Sequence, residues 1–143
     1  MGELRIELRA ELDAIRPLGE AVTGFCSAHG LPAELVGQLC LVLEELLTNV
    51  VRHGIDGVPP PDPPGYHNAV VRLVHLGKVV SVIFEDSGRA FDPLELPEPD
   101  FAIGIEDRPV GGLGIHLVRA LMDGVTYARA DGRNRLNMVK AVG

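Results

Sequence analysis

Between residues 4 and 9 apolar and charged side chains alternate strictly, Leu4, Ile6 and Leu8 against Arg5, Glu7 and Arg9. That is the two-residue period of a half-buried strand. The period then lengthens. From residue 13 to 29 the apolar positions Ile15, Leu18, Val22 and Phe25 recur at helical spacing, and Gly30 suits the helix stop. Pro32 fits the first turn of a second helix, which runs to about His53 with Leu35, Leu39, Val42, Leu46 and Val50 as its apolar stripe. Glu45, Asn49 and His53 form a separate polar line on that helix, and such a line has to face water or a functional cleft.

Residues 56–66 hold Pro59, Pro60, Pro61, Pro63 and Pro64, which excludes a helix interior or a central strand and predicts an extended surface loop. Two β-rich runs follow, 70–76 and 79–84, separated by Gly77-Lys78 as a hairpin signal. The second run delivers Asp86 at its end. Residues 92–110 are polar, acidic and proline-containing, long for an internal connection and therefore a candidate lid. A helix over 112–122 is predicted from Ile115, Val118 and Leu121. Two last strands, 125–130 and 135–142, flank the turn signal Asp131-Gly132. The element order predicts an α+β fold with helices on one face of a largely antiparallel sheet.

Composition narrows the function. At 143 residues, 46% of them hydrophobic, the chain reads as one domain able to bury its own core. No apolar run approaches a membrane span, and the first residues lack the features of a secretory signal. Cys26 and Cys40 fall in predicted helices and read as reduced thiols, so a cytoplasmic location is expected. The formal net charge of −7 argues against nucleic acid as a partner. With no Trp and few aromatic residues, a base-stacking platform is not expected either. A protein or small-molecule partner remains.

Three segments carry the chemistry. Glu45 and Asn49, four residues apart, project from one helix face. An Asn oxygen can ligate a magnesium ion that keeps most of its waters, and a carboxylate one turn earlier can accept a proton. Asp86-Ser87-Gly88 offers an acceptor at a strand end for an exocyclic amino group such as adenine N6, with Gly88 allowing close approach. Gly111-Gly112-Leu113-Gly114 opens a helix and so presents unpaired N–H groups to phosphate. Its spacing is not that of a P-loop, and no strand with G-x-G-x-x-G is present. His53 lacks a cluster of ligands around it and reads as a brace at the helix end. No Ser-His-Asp arrangement stands out.

Glu45-x-x-x-Asn49, Asp86-x-Gly88 and Gly112-x-Gly114 resemble the N, G1 and G2 boxes of the GHKL ATPase superfamily. Further stretches are similar to the bacterial anti-sigma-factor serine kinases: 45–49 with His53-Gly54, Phe91-Asp92-Pro93, and 111–118 with Leu121-Met122-Asp123. The resemblance implies a two-layer Bergerat-type sandwich that binds ATP and Mg2+. It implies Glu45 as catalytic base, Asn49 as magnesium ligand and Asp86 as adenine reader, with Gly88, Ala90, Gly111, Gly112, Leu113 and Gly114 around the nucleotide. Arg108 in the lid would help to neutralise phosphate charge. Ala90 stands where a second Gly or a Pro is frequent, and Asn134 where the family often has a Thr near adenine. The implied activity is transfer of the γ-phosphoryl group to a Ser or Thr of a STAS-domain anti-anti-sigma protein. Sequestration of a sigma factor and a homodimeric state are implied as well. The alternatives are the ATP-binding domain of a histidine kinase and a non-catalytic, ATP-gated binding module.

Overall fold

A computed structural model of the chain describes residues 2–95 and 112–142. Strand β1 (Gly2–Arg9) leads through a 3-10 turn (Leu12–Ala14) into helix α1 (Ile15–Ala28), and helix α2 (Ala33–Asn49) follows. Strands β2 (Asn68–Leu76) and β3 (Val79–Asp86), helix α3 (Gly112–Leu121), and strands β4 (Gly124–Ala130) and β5 (Arg133–Ala141) complete the order. The five strands form one sheet in the order β1-β2-β3-β5-β4. Every neighbouring pair is antiparallel, so the largely antiparallel sheet expected from the sequence is antiparallel throughout.

The helices cover one face of this sheet. Val71 and Leu73 of β2, Val80, Val82 and Phe84 of β3, and Leu136 and Met138 of β5 point into the layer between. There they meet Leu18, Val22 and Cys26 of α1, the apolar side of α2, and Val118 of α3. α2 packs against both other helices, which is why its buried set is wider than a single stripe and takes in Leu43 and Leu47. The other sheet face carries charge, with Arg72 paired to Glu3 at 2.6 Å and Arg135 to Glu85 at 2.5 Å. The alternation in β1 follows from this: its odd residues lie on the uncovered face. Both cysteines are free thiols, and burial pushes that of Cys26 up. Among the described residues no helix is long and apolar enough to cross a membrane.

Local signals set the element ends. At the end of α1 the Leu31 N–H bonds back to the Cys26 carbonyl at 2.9 Å, across Gly30, satisfying a helix-terminal acceptor. Asp131 (φ 55°) and Gly132 (φ 73°) both take left-handed conformations, the geometry of the tight two-residue turn joining β4 to β5. One feature departs from expectation. The second helix keeps α geometry only to Asn49 and ends in a π-helical turn, Val50–Gly54. Such widened turns are frequent at functional sites.

Candidate functional site

The widened turn and the ends of three strands enclose a cleft of about 320 Å³. Leu46, Asn49, Val50, His53 and Gly54 form one wall, Phe84, Asp86 and Arg89 the floor and rim, and Phe91, Pro93, Tyr127, Asn134 and Leu136 the other side. The lining is mostly apolar with a few convergent polar groups, the usual make-up of a small-molecule site.

Asp86 sits at the end of the central strand β3, only 8% exposed. Its Oδ1 accepts two hydrogen bonds, from the Gly88 N–H at 2.8 Å and from Asn134 Nδ2 at 3.0 Å. Among the described residues its Oδ2 accepts none, and that oxygen is left for a ligand. Burial pushes the Asp86 carboxyl above its ordinary value, while those two hydrogen bonds and the guanidinium groups of Arg133 and Arg129 pull it down. Burial wins.

Gly88 is required by space. A Cβ there would lie 2.7 Å from the Gly54 carbonyl oxygen and 2.9 Å from Asp86 Oδ1. The turn after β3 is pressed onto the end of α2 and held there by Arg89, whose N–H donates to Gly54 O at 2.9 Å and whose guanidinium reaches Asp56 O. Arg129 of β4 donates to Gly88 O at 2.8 Å from the opposite side. A third tie runs through His67. The 2.7 Å contact of Nε2 with the Val58 carbonyl puts the proton there, so Nδ1 accepts from the Ser87 hydroxyl at 2.8 Å. The proline-rich connection is thereby fastened to the Asp86 turn.

Asn134, 7% exposed, uses its whole hydrogen-bonding capacity within the protein. Oδ1 accepts from the Tyr127 hydroxyl at 2.5 Å and the Phe91 N–H at 3.2 Å. Nδ2 donates to Asp86 Oδ1 and, at 2.7 Å, to the Arg89 carbonyl.

The residues singled out in the sequence divide as follows. Asn49, Asp86 and Asn134 line the cleft together. Gly88 is buried behind Asp86, and Ala90 is exposed next to it. Glu45 is half-buried one helical turn before Asn49 and is not among the residues lining the cleft. Neither Glu45 nor Asn49 makes a side-chain hydrogen bond among the described residues. Gly112, Leu113 and Gly114 form the first turn of α3, which packs on α2. Arg108, Gly111 and most of the candidate lid (96–110) lie outside the described residues. Tyr127, Arg129 and His67 were not anticipated. Tyr127 and Arg129 are isolated polar residues on β4 and His67 lies in the connection just before β2, and only their partners in the fold give them a role. Among the described residues no group of three or more His, Cys, Asp or Glu could hold a metal ion. A cation here would have to share its ligands with a bound molecule.

Residues 8–140 match the model of the histidine kinase-like ATPase domain. The serine/threonine-protein kinase BtrW of Bordetella bronchiseptica is 33% identical over 107 residues, 74% of this chain and 70% of that protein. The crystal structure of the RsbU and RsbW domains of Rv1364c from Mycobacterium tuberculosis superposes with a TM-score of 0.69 at 15% identity. That match covers 99% of this chain and 33% of the longer one, so the chain spans a third of that structure's length and shares its fold.

Proposed function

The chain belongs to the histidine kinase-like ATPase domain family, and on that premise we propose that it is an ATP-dependent protein serine/threonine kinase acting as an anti-sigma factor. Its substrate would be a Ser or Thr hydroxyl on a STAS-domain anti-anti-sigma protein, and a sigma factor would be its second partner. The observation that carries the reading is Asp86 Oδ2, a carboxylate oxygen unused among the described residues, at the floor of an apolar cleft, in a chain 33% identical over 107 residues to a serine/threonine kinase.

The residues fit ATP and magnesium. Leu46, Val50, Phe84 and Leu136 offer flat apolar walls for a purine, and Asp86 offers an acceptor for its amino group. Asn49 supplies a hard, uncharged oxygen from the same wall, the kind of ligand a phosphate-bound magnesium takes. The ion, when bound, neutralises charge on the phosphates. The start of α3, with Gly112 and Gly114 in its first turn, would cradle the phosphates with its unpaired N–H groups. Glu45 accepts the proton of the incoming hydroxyl. The hydroxyl oxygen forms its bond to the γ-phosphorus as the bond to the β–γ bridging oxygen breaks, and ADP leaves. The test is incubation of the protein with labelled ATP, magnesium and the STAS-domain proteins of the same genome. Label on a single Ser or Thr of one of them is expected, and no transfer to any of them overturns the kinase reading.

A second reading, an ATP-gated binding module without transfer, is favoured by the position of Glu45 outside the lining of the cleft. It predicts nucleotide-dependent partner binding with no phosphorylated product in the same experiment.

A further inference from the structure

We propose that Asn134, supported by Tyr127, is the positioning residue that sets base selectivity in the cleft, by holding Asp86 so that a single oxygen faces a purine amino group. The proposal rests on the nucleotide-site reading above and assigns Asn134 a role other than touching the base.

A carboxylate that is free to turn about its last torsion presents either oxygen and adapts to many donors. Here that freedom is removed. Oδ1 of Asp86 is pinned from two directions, by the Gly88 N–H at 2.8 Å and Asn134 Nδ2 at 3.0 Å. Among the described residues Oδ2 alone is left without a partner, in a direction set by the bonds to Oδ1. It can accept from an N–H and repels a carbonyl oxygen, so the class it recognises is a 6-aminopurine and the class it rejects is a 6-oxopurine. Asn134 itself has nothing to offer a base, because all four of its hydrogen bonds are made to the protein.

The same amide sets the shape of the turn. By taking the Phe91 N–H at 3.2 Å and giving to the Arg89 carbonyl at 2.7 Å, it holds the backbone on both sides of Ala90. Backbone decides which way round the amide sits: the Phe91 N–H can only donate and the Arg89 carbonyl can only accept, so Oδ1 meets the first and Nδ2 the second. The Tyr127 hydroxyl adds a second donor to Oδ1 at 2.5 Å and steadies the amide with its nitrogen facing Asp86. A Thr or Ala at position 134 cannot supply two donors and two acceptors in one plane. Asp86 would then be held by the Gly88 N–H alone, its carboxylate less firmly set, and selectivity would fall before the fold does.

The experiment is calorimetric titration of the full chain, with magnesium, against ATP, inosine triphosphate and purine riboside triphosphate, which lacks the 6-amino group. Wild type is compared with Asn134→Ala, Asn134→Thr and Tyr127→Phe, each checked for folding by circular dichroism. Wild type is expected to prefer ATP over purine riboside triphosphate roughly tenfold, about the worth of one hydrogen bond to a charged group. Asn134→Ala and Asn134→Thr should bring that ratio towards one with little change for purine riboside triphosphate. Tyr127→Phe, which removes only a hydroxyl, should lower the ratio part of the way and keeps the test valid if Asn134→Ala does not fold. A uniform loss of affinity for all three nucleotides, or a ratio unchanged in the folded variants, overturns the proposal and leaves the nucleotide site standing. Failure of wild type to bind any of the three overturns the nucleotide reading itself.

Discussion

The backbone N–H of Arg89 donates to the carbonyl oxygen of Gly54 at 2.9 Å. This one bond joins the turn after β3 to the end of α2, two segments that otherwise belong to different layers. It satisfies an acceptor at the helix terminus, where no intrahelical partner is available. Asn49 and Asp86, on the two sides of that joint, line the same cleft.

Gly88→Ala tests the joint. The added methyl would lie 2.7 Å from Gly54 O, and backbone cannot retreat as a flexible side chain would. We expect a loss of about 1–3 kcal/mol in stability, the range for forced overpacking, read as a lower urea midpoint. Nucleotide affinity should fall with it. Unchanged stability would show that the turn and the helix end are not in contact in solution.

Asp86→Asn should separate stability from binding. The carboxyl of Asp86 is raised from its ordinary 3.8 by burial, so the folded state holds its proton more tightly than the unfolded state does. Its contribution to stability is then fully present below the unfolded value and is lost as pH rises through the raised folded value. The Asn variant keeps an oxygen for Gly88 and Asn134 but carries no charge. Relative to wild type it should gain stability as pH rises through that window, with the gain persisting at neutral pH. ATP affinity should move the other way. The variant should bind poorly at neutral pH, and wild type should weaken as pH falls through the same window. Thermal melts and titrations across pH check both signs.

Asn49 and Glu45 should fail differently. Asn49→Ala removes an oxygen from the cleft wall and is expected to abolish the gain in ATP affinity that magnesium confers. Glu45→Ala should leave ATP binding nearly intact and slow single-turnover transfer to the STAS protein by about 10²–10⁴-fold, the range for a general base. Glu44, exposed and about 100° further round the helix, is the control. Wild-type transfer by Glu45→Ala would sink the base assignment.

Leu47→Ala addresses the layer between helices and sheet. Leu47 is fully buried on α2, so truncation leaves a cavity and is expected to cost about 2–5 kcal/mol. Denaturant unfolding reads the loss. A smaller cost would mean that α2 can settle into the space.

The element order and the helix-covered sheet were legible from periodicity, because these are local patterns; that Asn49 and Asp86 share one cleft was legible only through the resemblance of their motifs to a known family. Strand ends were not. β2 begins at Asn68 and β5 at Arg133, where polar residues extend the ladder through side-chain bonds such as Arg133 Nη1 to Asn68 Oδ1 at 2.8 Å. The widening of α2 at Val50–Gly54 left no mark either, since nothing in Val50-Val51-Arg52-His53 breaks a helix by propensity. Gly88 was anticipated for close approach, but to a ligand ring. The structure shows a close approach to Gly54. The sequence suggests Asn134 only as a group near the base, and its saturation by four partners depends on Tyr127 and on turn backbone that the linear sequence does not bring near it.

The walls of the cleft come from three stretches far apart in the chain, 46–54, 84–93 and 127–136, and they meet only in the fold, through bonds such as Arg89 N–H to Gly54 O and Asn134 to Asp86. An unfolded chain has no remnant of the cleft, so whatever occupies it selects the folded form alone. Occupancy is thereby converted into resistance to unfolding by mass action, about 2.7 kcal/mol when the occupant stands at a hundred times its dissociation constant. A cell rich in the occupant would keep this chain folded and out of reach of proteases, and depletion would shorten its lifetime before any partner was involved.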